Sequence, residues 1–147
     1  MRLSASYTVG ATRDMVFGAI TDPSVLQRCI EGCEKMVKTG EDSYDAHLKI
    51  GLAGLKGSYT GKVQVRDQKP PESYTLVMDG KGAPGFVKGT ARIQLEDCGG
   101  KTGLRCEADV QVGGMIAAVG SRLVEATAKK IMHDFFRKFG EAVSEKG

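Results

Sequence analysis

Hydrophobic and polar positions alternate through most of this chain, and the period lengthens in two places. Leu3, Ala5, Tyr7 and Val9 alternate with Ser4, Ser6 and Thr8, which predicts a first strand with one apolar face. The period then changes. Thr12 is placed to cap a short helix carrying Met15, Val16, Ala19 and Ile20. Asp22-Pro23 starts a second one, which carries Leu26 and Ile30 and stops near Gly32. Between positions 36 and 112, strand follows strand. The apolar rows are Tyr44, Ala46, Leu48 and Ile50; Tyr59, Gly61, Val63 and Val65; Tyr74, Leu76 and Met78; Gly89, Ala91, Ile93 and Leu95; and Leu104, Cys106, Ala108, Val110 and Val112. Polar residues interleave each row, so an antiparallel sheet with a single buried side is expected.

That buried side needs a cover, and positions 115–143 supply one. Ile116, Val119, Leu123, Thr127, Ile131, Phe135, Phe139 and Val143 recur every three or four residues, which predicts one long amphipathic helix. Its solvated face offers opposite-charge pairs four apart, at 125/129, 134/138 and 137/141. The stripe is slim at first (Ala117, Ala118, Gly120, Ser121, Ala126, Thr127, Ala128) and bulky later (Ile131, Met132, Phe135, Phe136, Phe139). The slim half is expected to roof a cavity and the bulky half to plug its far end. The element order predicts an α+β fold in a single domain over 1–147, a curved antiparallel sheet with two short helices after its first strand and a long C-terminal helix.

Successive turns of such a sheet alternate between its two ends. One end, with turns at 40–43, 68–72 and 97–101, is polar. The other, with turns at 51–55, 80–86 and 113–115, is apolar and glycine-rich, with Lys49, Lys56, Lys81 and Lys88 around it. Small inward residues (Ala46, Gly61, Gly89, Ala91, Ala108) leave volume there, and an apolar cavity opening at this end follows. Close packing of the helix on small residues fits the same pattern. The expected lining is Leu26, Ile30, Leu48, Ile50, Tyr59 and Met78, joined by Phe86, Met115, Ile116, Val119 and Leu123. The tips Leu52, Leu55 and Phe86, with Lys56, Lys81 and Lys88, are the expected contact with a membrane or partner.

With 27% charged and 41% hydrophobic residues the chain reads as globular, and 147 residues can bury a real core. A net charge of +3, with basic and acidic residues interspersed and no Trp, gives no support to a nucleic-acid platform. Cys29, Cys33, Cys98 and Cys106, without a signal-peptide pattern, favour free thiols in a reducing cytoplasm. No apolar run reaches spanning length, so membrane contact is expected to be peripheral.

Catalytic and cofactor patterns are weak. Gly80-Lys81-Gly82-Ala83-Pro84-Gly85 matches G-x-G-x-x-G, but a strand is expected after it, where a dinucleotide site needs a helix N-terminus. Only His47 and His133 could join the cysteines, on a strand exterior and a helix flank, so neither metal nor cofactor is expected. Gly120-Ser121-Arg122 lacks the G-x-S-x-G elbow, and inward strand positions carry no carboxylate, which leaves no catalytic residue. Tyr59 or Tyr74 can either donate a hydrogen bond to a ligand or be satisfied in the core.

Several stretches together resemble the CoxG family, the G-type accessory proteins of carbon monoxide dehydrogenase, in the START/Bet v1-like superfamily. They are Asp22-Pro23 with Cys29-Ile30-Glu31-Gly32-Cys33-Glu34, Pro71-Glu72-Ser73-Tyr74-Thr75-Leu76, Gly80-Lys81-Gly82 with Gly85-Phe86-Val87-Lys88-Gly89-Thr90-Ala91-Arg92, and Gln111-Val112-Gly113-Gly114 with Gly120-Ser121-Arg122-Leu123 and Ala128-Lys129-Lys130. They span essentially the whole chain. Glu31 stands where a proline is expected. The resemblance implies a helix-grip fold and a non-enzymatic accessory of a carbon monoxide dehydrogenase-type molybdenum hydroxylase. It further implies a lipid or quinone as ligand and a place at the inner face of the cytoplasmic membrane. A hydrolase or cyclase of the same superfamily, or an assembly factor with a filled interior, are the alternatives.

Overall fold

A computed structural model describes residues 1–51 and 56–146. The chain runs β1 (Arg2–Val9), α1 (Arg13–Ile20), α2 (Pro23–Cys29), β2 (Cys33–Gly40), β3 (Ser43–Ile50), β4 (Gly57–Lys69), β5 (Ser73–Gly82), β6 (Gly85–Asp97), β7 (Thr102–Gly113), α3 (Met115–Ala118) and α4 (Ser121–Lys146). The strands form one sheet in the order β1-β7-β6-β5-β4-β3-β2, with every neighbouring pair antiparallel. The first strand thus pairs with the last, and α1 and α2 fill the excursion between β1 and β2.

The starts of the short helices follow from their caps. The Thr12 hydroxyl accepts from the Met15 amide at 3.4 Å, and an Asp22 carboxylate oxygen accepts from the Ser24 amide at 2.9 Å. Val16, Phe17 and Ile20 of α1 and Val25, Leu26 and Cys29 of α2 are buried. They meet Tyr74, Ile93, Leu104 and Cys106 of the sheet and Phe136, Phe139 and Val143 of α4 in one main core at the polar-loop end. Burial stabilises each large side chain there by about 1.5 to 3 kcal/mol before conformational entropy is subtracted.

The C-terminal segment departs from the expectation of one helix over 115–143. Gly120 has φ +104, a left-handed conformation that ends the four-residue α3 and restarts the helix as α4. The break turns the inward face. Val124 is buried together with Thr127, Phe136, Phe139 and Val143, whereas Val119 and Leu123 point outward. Ala117, Ala118, Gly120, Ser121 and Ala126 are also exposed, so most of the slim residues form no roof, and of that set Thr127 is buried and Ala128 packs against the main core. Phe136 and Phe139 of the bulky half are buried in the main core, with Met132 and Phe135 packed against it. On the solvated side, Glu125 pairs with Lys129 at 3.2 Å and Arg137 with Glu141 at 3.6 Å. Asp134 pairs with Lys130 at 2.9 Å instead of Lys138. That hydrogen bond holds the Asp134 carboxyl below its usual range.

Candidate functional site

The inward side chains of the sheet change character along each strand. At the polar-loop end Val65, Tyr74, Ile93, Leu95, Leu104 and Cys106 are buried. Toward the other end Leu48, Ile50, Val63, Met78, Val87, Val110 and Val112 face the same concave side yet are only half-buried. A second, smaller cluster closes this end: Tyr59, Ile116 and Val124 are its buried members, with Leu48, Ile50, Val87 and Val112 packed around them. Ile116 is fixed there twice, by its buried side chain and by its amide, which donates to the Pro84 carbonyl at 3.0 Å.

Between the two clusters a short stretch of the concave floor is bare backbone, where Gly61 pairs with Gly80 across β4 and β5. The neighbouring small positions are covered: a Cβ on Gly89 would meet the Val110 and Met78 side chains at 3.4 and 3.5 Å, and Ala46, opposite Gly61, is buried. A Cβ placed on Gly61 would meet only backbone atoms of Asp79 and Gly80, at 3.7 Å. One on Gly80 would meet only the carbonyl oxygens of Val87 and Thr60, at 3.7 and 3.9 Å. Among the described residues, nothing from α3 or α4 comes within 4 Å of either point. An unopposed stretch of floor departs from the close packing usual in protein interiors.

The expected lining residues therefore divide. Leu48, Ile50, Tyr59 and Ile116 come together around the smaller cluster. Leu26 is buried in the main core, with Ile30 and Met78 packed against it. Met115, Val119 and Leu123 lie on the surface, 67%, 45% and 42% exposed, because the Gly120 break presents them outward. Phe86 occupies the outer face of the sheet: a Cβ on its cross-strand partner Gly113 would lie inside the Phe86 ring, and the Lys88 ammonium stands 5.6 Å from the ring centroid. An aromatic ring over a strand glycine restores the cross-strand packing that the glycine lacks. Lys56, Lys81 and Lys88 are exposed at this end, while Leu52 and Leu55 lie outside the described residues.

Two pockets lie away from the concave floor. A groove of about 490 Å³ crosses the outer face of β6, β7 and β1 and includes Ser6, Gln94 and Arg105. A dimple of about 50 Å³ sits between α1, α2 and α4.

Among the described residues, the buried polar side chains are hydroxyls and thiols. Tyr74 is buried, its ring edge-on to Phe17 at 5.7 Å, and its hydroxyl has no hydrogen-bond partner. Burial, and secondarily Cys106, raise its pKa, while burial and then Glu107 push the Cys106 thiol up to about 11. Burial likewise raises Tyr59. These groups are protonated and neutral at physiological pH, able to donate a hydrogen bond but not to accept a proton. The orphaned Tyr74 hydroxyl was not legible as such, because sequence leaves open whether a core tyrosine finds a partner. Among the described residues, no three His, Cys, Asp or Glu side chains are grouped as a metal site requires. All four cysteines are free. A strand, β6, does follow the glycine-rich stretch, but the turn is tighter than the expected 80–86: Gly80 to Gly82 belong to β5 and Gly85 and Phe86 to β6, leaving Ala83-Pro84 between them.

A curled antiparallel sheet gripping a C-terminal helix, with an apolar concave face and paired short helices after β1, defines the START-like class of helix-grip proteins. The fold matches a START superfamily protein from Mycobacterium smegmatis with TM-score 0.80 over 99% of both chains at 13% identity. It matches the Zhui aromatase/cyclase from Streptomyces sp. R1128 with TM-score 0.75, over 99% of this chain and 94% of that one, also at 13% identity. These two likenesses are of fold alone. Within the class, the chain belongs to the CoxG family, named for the G subunit of carbon monoxide dehydrogenase, whose profile matches residues 6–144. A conserved protein from Geobacillus kaustophilus is 36% identical, with TM-score 0.95 over 99% of this chain and 96% of that one. No curated protein matches the sequence significantly.

Proposed function

We propose that this chain is a non-enzymatic accessory protein of a carbon monoxide dehydrogenase-type molybdenum hydroxylase, holding a lipid or quinone against the bare floor between its two apolar clusters. The observation that carries the reading is the unopposed backbone at Gly61 and Gly80. Family membership supports the hydroxylase as partner. The surrounding side chains, Leu48, Ile50, Val63, Met78 and Val87, suit a hydrocarbon and offer no general base. The protonated state of Tyr74 and Cys106 argues against a hydrolase or cyclase working through them. Peripheral contact with the inner face of the cytoplasmic membrane, through the lysine-rimmed apolar end, completes the proposal.

Organic extraction of the purified chain followed by mass spectrometry tests it, with Gly61→Leu as the comparison. Gly61 has an ordinary strand conformation, so a leucine fits the fold while filling the floor. A lipophile is expected to co-purify with, or bind at micromolar levels to, the unaltered chain, and to be lost from Gly61→Leu. If nothing apolar is found and none binds, the filled-interior assembly factor replaces this reading.

A further inference from the structure

The smaller cluster is closed by a segment that contributes one buried side chain. Ile116 is 1% exposed, whereas Met115, Ala117, Ala118 and Val119 around it are all on the surface. What Ile116 covers follows from the register of the sheet. Gly80 pairs with Gly61 on one side and with Val87 on the other, and Val87 pairs with Val112. Val87 and Val112 thus lie in the same row as the bare stretch of floor. Tyr59 stands two residues before Gly61 on β4, on the same face. These three are among the sheet residues that pack with Ile116. The plug therefore borders the floor, although none of its atoms comes within 4 Å of a Cβ at Gly61 or Gly80.

From this we infer that α3 is a lid, which swings outward about Gly114 and Gly120, withdraws Ile116 from the smaller cluster and opens a passage for a lipophile onto the floor. The inference rests on the lipophile-holding reading above and names how that site is entered. Three features equip α3 for the motion. Gly114, with φ +75, and Gly120, with φ +104, bracket it, and glycine lacks the side-chain restriction that would tie either end to one conformation. Gly113, beneath the Phe86 ring, marks where the sheet is clamped and the hinge begins. Among the described residues, the Ile116 amide to the Pro84 carbonyl, at 3.0 Å, is the one backbone hydrogen bond that joins α3 to the sheet or its turns. A short helix held by one side chain and one hydrogen bond opens far more readily than the main core. Val124 belongs to α4, whose long contact with the main core through Phe136, Phe139 and Val143 keeps it in place when α3 leaves.

Labelling of the full chain carrying Ile116→Cys with N-ethylmaleimide, read peptide by peptide by mass spectrometry, tests the lid. Cys29 and Cys106, buried in the main core, are references within the same molecule. Once exposed by opening, each thiol is solvated and reacts at its ordinary rate, so the labelling rates compare the openings themselves. Position 116 should label at least about a hundredfold faster than either reference, through an opening that leaves the main core closed. Amide exchange of Tyr59, Val87 and Val112 in the same variant reports opening of the strands beneath, and the opening equilibrium at position 116 should exceed theirs at least about tenfold. Labelling no faster than that of Cys29 and Cys106, or an opening no more frequent than that of the strands, overturns the inference, because α3 then moves only with the sheet. A maleimide at position 116 props the lid, so this chain should take up and release Nile red at least about tenfold faster than the unaltered chain treated in the same way. Equal rates overturn the passage. Thermal melts by circular dichroism confirm that the variant is folded; if it is not, exchange of the Ile116 amide in the unaltered chain gives the same comparison with the strands. Failure of the ligand reading is separate: fast labelling in a chain that binds no Nile red and yields no lipophile on extraction disproves that reading and the passage, and leaves the motion.

Discussion

Tyr74 shows how much one atom discloses. Its hydroxyl is the only buried side-chain oxygen or nitrogen among the described residues without a hydrogen-bond partner, and leaving such a group dry costs about 1 to 3 kcal/mol. Tyr74→Phe keeps the ring edge-on to Phe17 and removes the orphan, so urea unfolding of the ligand-free protein should show a gain of about 1 kcal/mol. A loss of stability would mean that the hydroxyl has a partner after all, such as an ordered water. Gly61 and Gly80 are the complementary case. They lie in the strand interior, where glycine weakens a sheet by its entropy and lack of packing, and nothing in the fold needs their conformational freedom. On the proposed reading, their use is the space they leave.

At the level of elements, the strands were legible because alternation is a strong local signal: Tyr44, Ala46, Leu48 and Ile50 do face one side, and the Thr12 and Asp22 caps mark where the period changes. The α3–α4 break was not, since Gly120 sits between residues of good helical spacing and reads as one more slim position. Only the backbone shows its left-handed φ, and with it why Val124 replaces Leu123 in the interior. Gly120→Ala tests that account. No atom lies within 4 Å of a Cβ there, so any cost comes from the backbone and not from a clash. A left-handed alanine should destabilise by about 1 to 2 kcal/mol in urea unfolding, whereas an unchanged midpoint would mean that the chain runs readily as one straight helix. The same gap explains the divided lining. Strand parity brings Leu48, Ile50 and Tyr59 to one side, where Ile116 meets them, but the placing of Met115, Val119 and Leu123 depends on a helix phase that the break resets.

For the molecule as a whole, the two clusters imply unequal stability along the strands. The main core unites both short helices, the bulky half of α4 and six strands, whereas the buried cluster at the other end, among the described residues, is Tyr59, Ile116 and Val124. Regions with few buried apolar contacts open locally at less than the global unfolding free energy. Amides near Ile93, Leu104 and Phe139 should therefore exchange with solvent only through global unfolding, while those near Tyr59, Val87 and Val112 exchange through a smaller local opening. Hydrogen exchange followed by mass spectrometry reads this directly, and uniform protection along β4 to β7 would contradict the two-cluster description. Adding a lipophile that occupies the floor should raise protection selectively around Val63, Met78 and Val110, because a ligand that bridges the clusters couples the weak end to the strong one. On the proposed reading, the end that opens to admit a hydrocarbon is then the end that binding stabilises.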